Sequence, residues 1–204
     1  MTERGYEVAT LDELDRIPVM HGLEWRPIRR RFGIRAFGVN AYTAAKPGDW
    51  IVEEHDETAL GHEEMYVVVR GRATFTLNGE TVDAPAGTIV FLEDPSVKRL
   101  AIAEEEGTTV LAVGAKPGEA FKPSVWEWVF EGYAKTPDEA IAIVQDGIRE
   151  VGEEPAFYYH LACFSAQAGR KEEARSYLER ALEERPDWRE RAAQDDDLAG
   201  LLKP

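Results

Sequence analysis

The sequence predicts an α+β chain in two parts, an antiparallel β barrel or sandwich followed by an α-helical region. Three observations carry that expectation. Between about residues 33 and 114, short apolar runs are separated by turn residues. The dipeptide Asn78-Gly79 joins two such runs. From Pro137 onward the pattern is helical throughout. At 204 residues there is material for one large domain or two smaller ones.

Within the β part, MYVVV is followed after Arg70-Gly71 by RATFTL, where Ala73, Phe75 and Leu77 alternate with Arg72, Thr74 and Thr76, the period of a half-buried strand. Asn78-Gly79 readily supplies positive φ at both central positions of a type I′ turn, so RATFTL-NG-ETVDA is predicted to be a hairpin. Further strands are expected at TIVFL (88–92), around KRLAIA (98–103) and at TTVLAV (108–113). In WRPIRRRFGIR the arginines Arg26, Arg29, Arg30, Arg31 and Arg35 read as an edge strand paired with surface carboxylates, or as an anion-binding rim.

The texture changes after Gly114. Residues 117–136 hold prolines and the aromatics Trp126, Trp128, Phe130 and Tyr133, and an extended piece would set Trp126, Trp128 and Phe130 on one face. This reads as a crossing segment docked on the barrel. The expected division is therefore 1–116 for the barrel with its N-terminal strands, 117–136 for the crossing segment and 137–204 for the helical region.

The helical region repeats. Tyr158, Leu161, Ala174, Leu178, Ala181 and Pro186 fall at the large, Leu, Ala, large, Ala and Pro positions of the tetratricopeptide pattern, which the stretch 155–186 resembles. Subtracting the 34-residue period places Ala174 on Ala140 and Leu178 on Val144, so PDEAIAIVQDGIREVG reads as an earlier half-unit. The tail, with Trp188 and Leu198, reads as a capping helix. Such a unit normally needs neighbours to cover its apolar face. The helices are thus expected either to buttress the barrel or to dock a protein partner.

The 24 Lys and Arg against 39 Asp and Glu give a charge of −15, which repels phosphate backbones and anionic lipid. No nucleic-acid or membrane partner is expected. Cys163 is alone, so no internal disulfide is expected, and its helical setting reads as a buried, inert thiol. No apolar run approaches membrane-spanning length, and the N-terminus lacks a signal-type apolar core. A cytoplasmic location is the resulting expectation.

Glu64 followed six residues on by Gly71, then the NGE hairpin and APAGTIVFLEDP, resembles the two-motif pattern of the cupin superfamily over roughly residues 35–115. Pro47-Gly48 stands where the first motif opens, and Gly87 opens the second. The resemblance implies a cupin double-stranded β-helix, a jelly-roll barrel with an interior pocket, in this chain followed by the α-helical tetratricopeptide-like region. By analogy with the superfamily it also implies a homodimer.

Where the family places metal-binding histidines, this chain departs from the pattern. Counting back from Glu64, the first-motif positions fall on Glu57 and Ala59; the second-motif position falls on Lys98, with Arg99 beside it. A protonated amine or guanidinium has no lone pair to offer a metal. One reading sets Lys98 or Arg99 against Glu64 as an ion pair, with Tyr66 adding a hydroxyl, in a pocket for a small polar or anionic ligand. The other makes His55, His62 and Glu64 the ligands of a divalent transition metal (manganese, iron, nickel or zinc), with acidic loop residues Glu53, Glu54, Asp56 and Glu57 as further oxygens. The first describes a binding module; the second, a metal-dependent oxygenase or isomerase. A third alternative leaves both histidines on the surface. No serine-nucleophile elbow, phosphate loop, paired-cysteine zinc pattern or dinucleotide fingerprint is present.

Overall fold

A computed structural model describes residues 7–19 and 22–202. The first six residues of the N-terminal stretch and the last two of the tail lie outside the described residues. The chain divides into two compact units, Met1–Lys122 and Pro123–Pro204.

The first unit runs β1 (Ile17–Pro18), β2 (Leu23–Arg26), α1 (Ile28–Phe32), β3 (Gly38–Ala44), β4 (Trp50–His55), β5 (Glu63–Arg70), β6 (Arg72–Leu77), β7 (Glu80–Pro85), β8 (Ile89–Leu92), β9 (Arg99–Ala103) and β10 (Thr109–Ala115). The strands form two sheets, one in the order β1-β2-β3-β10-β5-β8 and the other β4-β9-β6-β7. Every pairing is antiparallel, in agreement with the expected barrel. Alternation sends Val68, Phe75, Ala101 and Val110 to a common interior, each completely buried. The β6–β7 hairpin turns through Asn78 at φ 48° and Gly79 at φ 87°, the two left-handed residues that a type I′ turn demands.

The arginine-rich segment differs from the expected edge strand. It is strand only through Arg26, then becomes the short helix α1, closed by the left-handed Gly33. Proline at 27 withholds a ladder N–H and breaks the strand. Arg26 is buried and donates from Nη1 to the Leu11 carbonyl at 3.0 Å; Arg29 is buried and donates to the Ile34 carbonyl at 3.3 Å. Arg31 pairs with Glu7 at 2.6 Å. These guanidinium groups satisfy backbone oxygens and a carboxylate of their own unit instead of lining an open rim.

The second unit comprises α2 (Trp126–Tyr133), α3 (Pro137–Val151), α4 (Pro155–Gln167), α5 (Lys171–Glu184) and α6 (Arg189–Gln194), with 3-10 turns at Pro186–Trp188 and Ala199–Leu201. The extended crossing piece expected at 126–130 is helical. Trp126 and Phe130, four apart, pair with ring centroids at 5.6 Å, a contact that helical spacing makes and a strand does not. Trp128 belongs to the helical core, edge-on to Phe157 at 5.9 Å, instead of to the barrel. α3 opens on a capping box: the Glu139 carboxylate accepts from the Thr136 backbone N–H at 3.0 Å, and Pro137 follows at the first helical position. α4 and α5 form a hairpin in which Ala174 and Ala181 are fully buried, small enough for two helices to approach closely. Leu198 is also fully buried, and Trp188 packs on this core. No described helix is long and apolar enough to cross a membrane.

Candidate functional site

The register of the larger sheet sets out the barrel interior in rows. Gly38, Gly114, Glu64 and Leu92 lie side by side across β3, β10, β5 and β8. Asn40, Ala112, Tyr66 and Val90 form the next row. Tyr42, Val110 and Val68 follow. Directly opposed residues share a face, and Tyr66, Val68, Val90 and Leu92 all belong to the apolar core, so all three rows face inward. Gly114 is required where it is: a Cβ there would sit 2.9 Å from Glu64 Cγ, so the absent side chain leaves room for the carboxylate to lie across β10.

Glu64 Oε2 is the meeting point. The Tyr66 hydroxyl donates to it at 2.6 Å. Arg99 Nη2 approaches it from β9 at 3.5 Å, with the Arg99 side chain wholly buried. None of the Arg99 nitrogens Nε, Nη1 and Nη2 has a hydrogen-bond partner among the described residues. Burial first, and the Glu64 charge second, hold the Tyr66 hydroxyl well above its ordinary pKa, so it remains a donor to the carboxylate.

Two histidines and a second carboxylate stand at the outer edge. His55, at the end of β4, places Nδ1 2.7 Å from the Glu53 carbonyl oxygen. A carbonyl only accepts, so Nδ1 carries a proton, and Nε2 is the ring nitrogen turned toward the site. That Nε2 lies 3.7 Å from Glu57 Oε1 and 3.9 Å from Glu64 Oε2. Glu57 is carried inward by its loop, whose N–H donates from residue 57 to the Pro95 carbonyl at 2.8 Å. His62 Nδ1 is 3.3 Å from Glu57 Oε2. Burial, then the nearby Glu64 charge, raises the Glu57 pKa above its ordinary value, against a smaller opposing pull from His62.

The structure thus brings Glu64, Tyr66, Arg99, His55 and Glu57 together, and His62 behind Glu57. It does not bring Lys98. That side chain is 57% exposed and pairs with Glu54 at 3.0 Å, while Arg99, Ala101 and Ala103 are the residues of β9 that turn inward. The direct count from the second motif is therefore off by one residue, and strand alternation from the small, buried Ala101 is the signal that corrects it. The expected trio of His55, His62 and Glu64 is likewise revised: the donor atoms that converge, all within 4.8 Å of one another, belong to His55, Glu57 and Glu64. Glu57 was legible only as one of several acidic loop residues, although it falls where the cupin pattern has a histidine.

No family model and no curated protein matches the chain. Among solved structures, it is similar to an RmlC-like cupin from Shewanella frigidimarina, with 13% identity over 56% of this chain and 95% of that one at a TM-score of 0.42. It is also similar to KdgF from a Halomonas species, with 15% identity, 55% and 91% coverage and a TM-score of 0.41. A sugar phosphate isomerase of the cupin superfamily from Silicibacter pomeroyi gives 16% identity, 53% and 74% coverage and a TM-score of 0.45.

A divalent metal is a candidate occupant for the donors of His55, Glu57 and Glu64. The donors fit one in kind: an imidazole with its tautomer set by a backbone carbonyl, and two carboxylates. Such an ion would supply a Lewis acid with open positions. Against it, Oε2 of Glu64 already serves Tyr66 and Arg99, and the guanidinium places a fixed positive charge beside any cation bound there.

Proposed function

We propose that the barrel binds a small polar or anionic molecule, best an anion, at the Glu64–Arg99 end of its interior, and that the helical unit, whose sequence resembles a tetratricopeptide repeat, serves to dock a protein partner. The observation that supports the first part is Arg99: a fully buried guanidinium 3.5 Å from Glu64 Oε2 whose nitrogens have no hydrogen-bond partner among the described residues. A buried donor left without an acceptor costs about 1 to 3 kcal/mol, and more on a charged group. An anion entering from the half-exposed His55 side offsets that cost by taking hydrogen bonds from the guanidinium while Tyr66 retains Glu64.

Thermal unfolding with a panel of small carboxylates tests the reading, because a ligand selective for the native state must stabilise it. A carboxylate is expected to raise Tm in the native sequence and to lose that effect in Arg99→Gln. If none of them shifts Tm at millimolar concentration, the reading fails.

The converging donors of His55, Glu57 and Glu64 favour a second reading, a metal-dependent cupin enzyme of oxygenase or isomerase type. Elemental analysis of protein purified without chelator or a metal-affinity tag decides it: close to one manganese, iron, nickel or zinc per chain, lost in Glu57→Ala, supports the enzyme.

A further inference from the structure

Asn40 Oδ1 is a further polar atom in the barrel interior without a hydrogen-bond partner among the described residues. The residue lies on β3 opposite Ala112, which is opposite Tyr66 on β5, so it shares the inward face of the row directly below Glu64. Asn40 is 7% exposed, and its side-chain oxygen has no hydrogen-bond partner among the described residues. The neighbouring positions are small: Ala112 separates it from Tyr66, and Gly38 and Gly114 occupy the row above. A buried amide in an apolar row costs stability unless something hydrogen-bonds it, and apolar residues fill the deeper positions, Val68 and Val110.

We propose that Asn40 reads a hydroxyl group on the bound molecule, which makes the ligand of this site a hydroxylated carboxylate. The inference rests on the anion-binding reading above. Arg99 offers donors and calls for an acceptor anion; Asn40 Oδ1 is an acceptor and calls for a donor. A plain carboxylate satisfies the first and leaves the second orphaned, whereas a hydroxy acid satisfies both. Glu57 and Glu64 are further acceptors for hydroxyls along the way. The same two carboxylates select the charge of the ligand. Repulsion grows with the ligand's charge, so beside two carboxylates a monoanionic carboxylate is disfavoured less than a dianionic phosphate. β3 and β5 are separated by β10 alone, which sets the Asn40 backbone about 10 Å from the Tyr66 backbone across the same sheet.

Isothermal titration of the full chain with matched pairs tests this: lactate against propionate, and gluconate against hexanoate. In the native sequence at least one hydroxy acid is expected to bind about 10-fold or more tightly than its deoxy partner, the loss that follows from one unmet buried hydrogen bond. In Asn40→Leu, a near-isosteric change, that preference is expected to vanish through weaker binding of the hydroxy acid while the deoxy acid is unchanged. Asn40→Ala, which cannot overpack the row, is expected to lose the same preference. Arg99→Gln is expected to lose both members of the pair. A preference that survives in both Asn40 variants, or its absence in the native sequence despite tight binding of both acids, overturns the role of Asn40 and leaves the anion reading standing. Binding of neither acid at tens of millimolar overturns both.

Discussion

Arg99 Nη2 and Glu64 Oε2 stand 3.5 Å apart inside the barrel, the arginine side chain wholly buried and the glutamate side chain 15% exposed. The pair joins the two sheets: Glu64 belongs to β5 of the larger one and Arg99 to β9 of the smaller. Its consequence is asymmetric. Removing one charge leaves the other uncompensated, whereas removing both removes the desolvation cost as well. Glu64→Gln is expected to cost about 3 kcal/mol in urea unfolding, while the double variant Glu64→Leu with Arg99→Met stays within about 1 kcal/mol of the native protein or exceeds it. A loss in the double variant equal to the sum of the losses in Glu64→Leu and Arg99→Met alone would show that the pair is not coupled.

The position of His62 behind Glu57 separates two ligand sets. Under the metal-dependent reading, His55→Ala is expected to abolish the rise of Tm with added manganese or zinc. His62→Ala, which removes only a partner of Glu57, is expected to shift that titration by about 10- to 100-fold in concentration without abolishing it. Equal and complete loss in both variants would restore His62 as a direct ligand.

Glu57 makes stability depend on pH in a stated direction. Burial raises its pKa above the ordinary 4.5, so the folded state holds this proton more tightly than the unfolded chain. The favourable contribution is present below about 4.5 and is lost as pH rises through the folded-state value. At neutral pH the native protein bears the full cost of the ionised group. Glu57→Gln is therefore expected to melt above the native protein at pH 7, with the advantage shrinking as pH falls toward 4.5. A lower Tm at pH 7 would mean that the contact with His62 outweighs desolvation.

Cys163 is buried in the helical core, and burial, reinforced by Asp195, pushes its thiol pKa well up. Modification by an aromatic disulfide reagent is expected to be negligible in the native state and to follow the unfolding rate in denaturant. Rapid labelling of native protein would contradict that burial.

Much of the β part was legible because its signals are local. The alternation of Ala73, Phe75 and Leu77 and the Asn78-Gly79 turn need no distant partner to be read, and the hairpin is found there. The aromatic segment misled for a physical reason: Trp126, Trp128 and Phe130 share a face in a strand, while Trp126 and Phe130 also share one in a helix, and a short apolar run does not choose between the two periods. In the site, the motif resemblance singled out Glu64, and the two-residue spacing set Tyr66 on the same face. Arg99 against Lys98 was not, since a one-residue shift on β9 exchanges inside for outside.

Residue identity and order by themselves determined the two-part chain, the hairpin at Asn78-Gly79, the placement of Glu64 with Tyr66 on one face, and a charge balance hostile to nucleic acid. Tertiary structure alone decided that Arg99 and not Lys98 meets Glu64, that Glu57 displaces His62 from the converging donors, and that Asn40 faces the same interior. The reason is that period and turn chemistry act between residues a few positions apart, whereas these contacts join strands far apart in the chain, where register and loop path choose the partner.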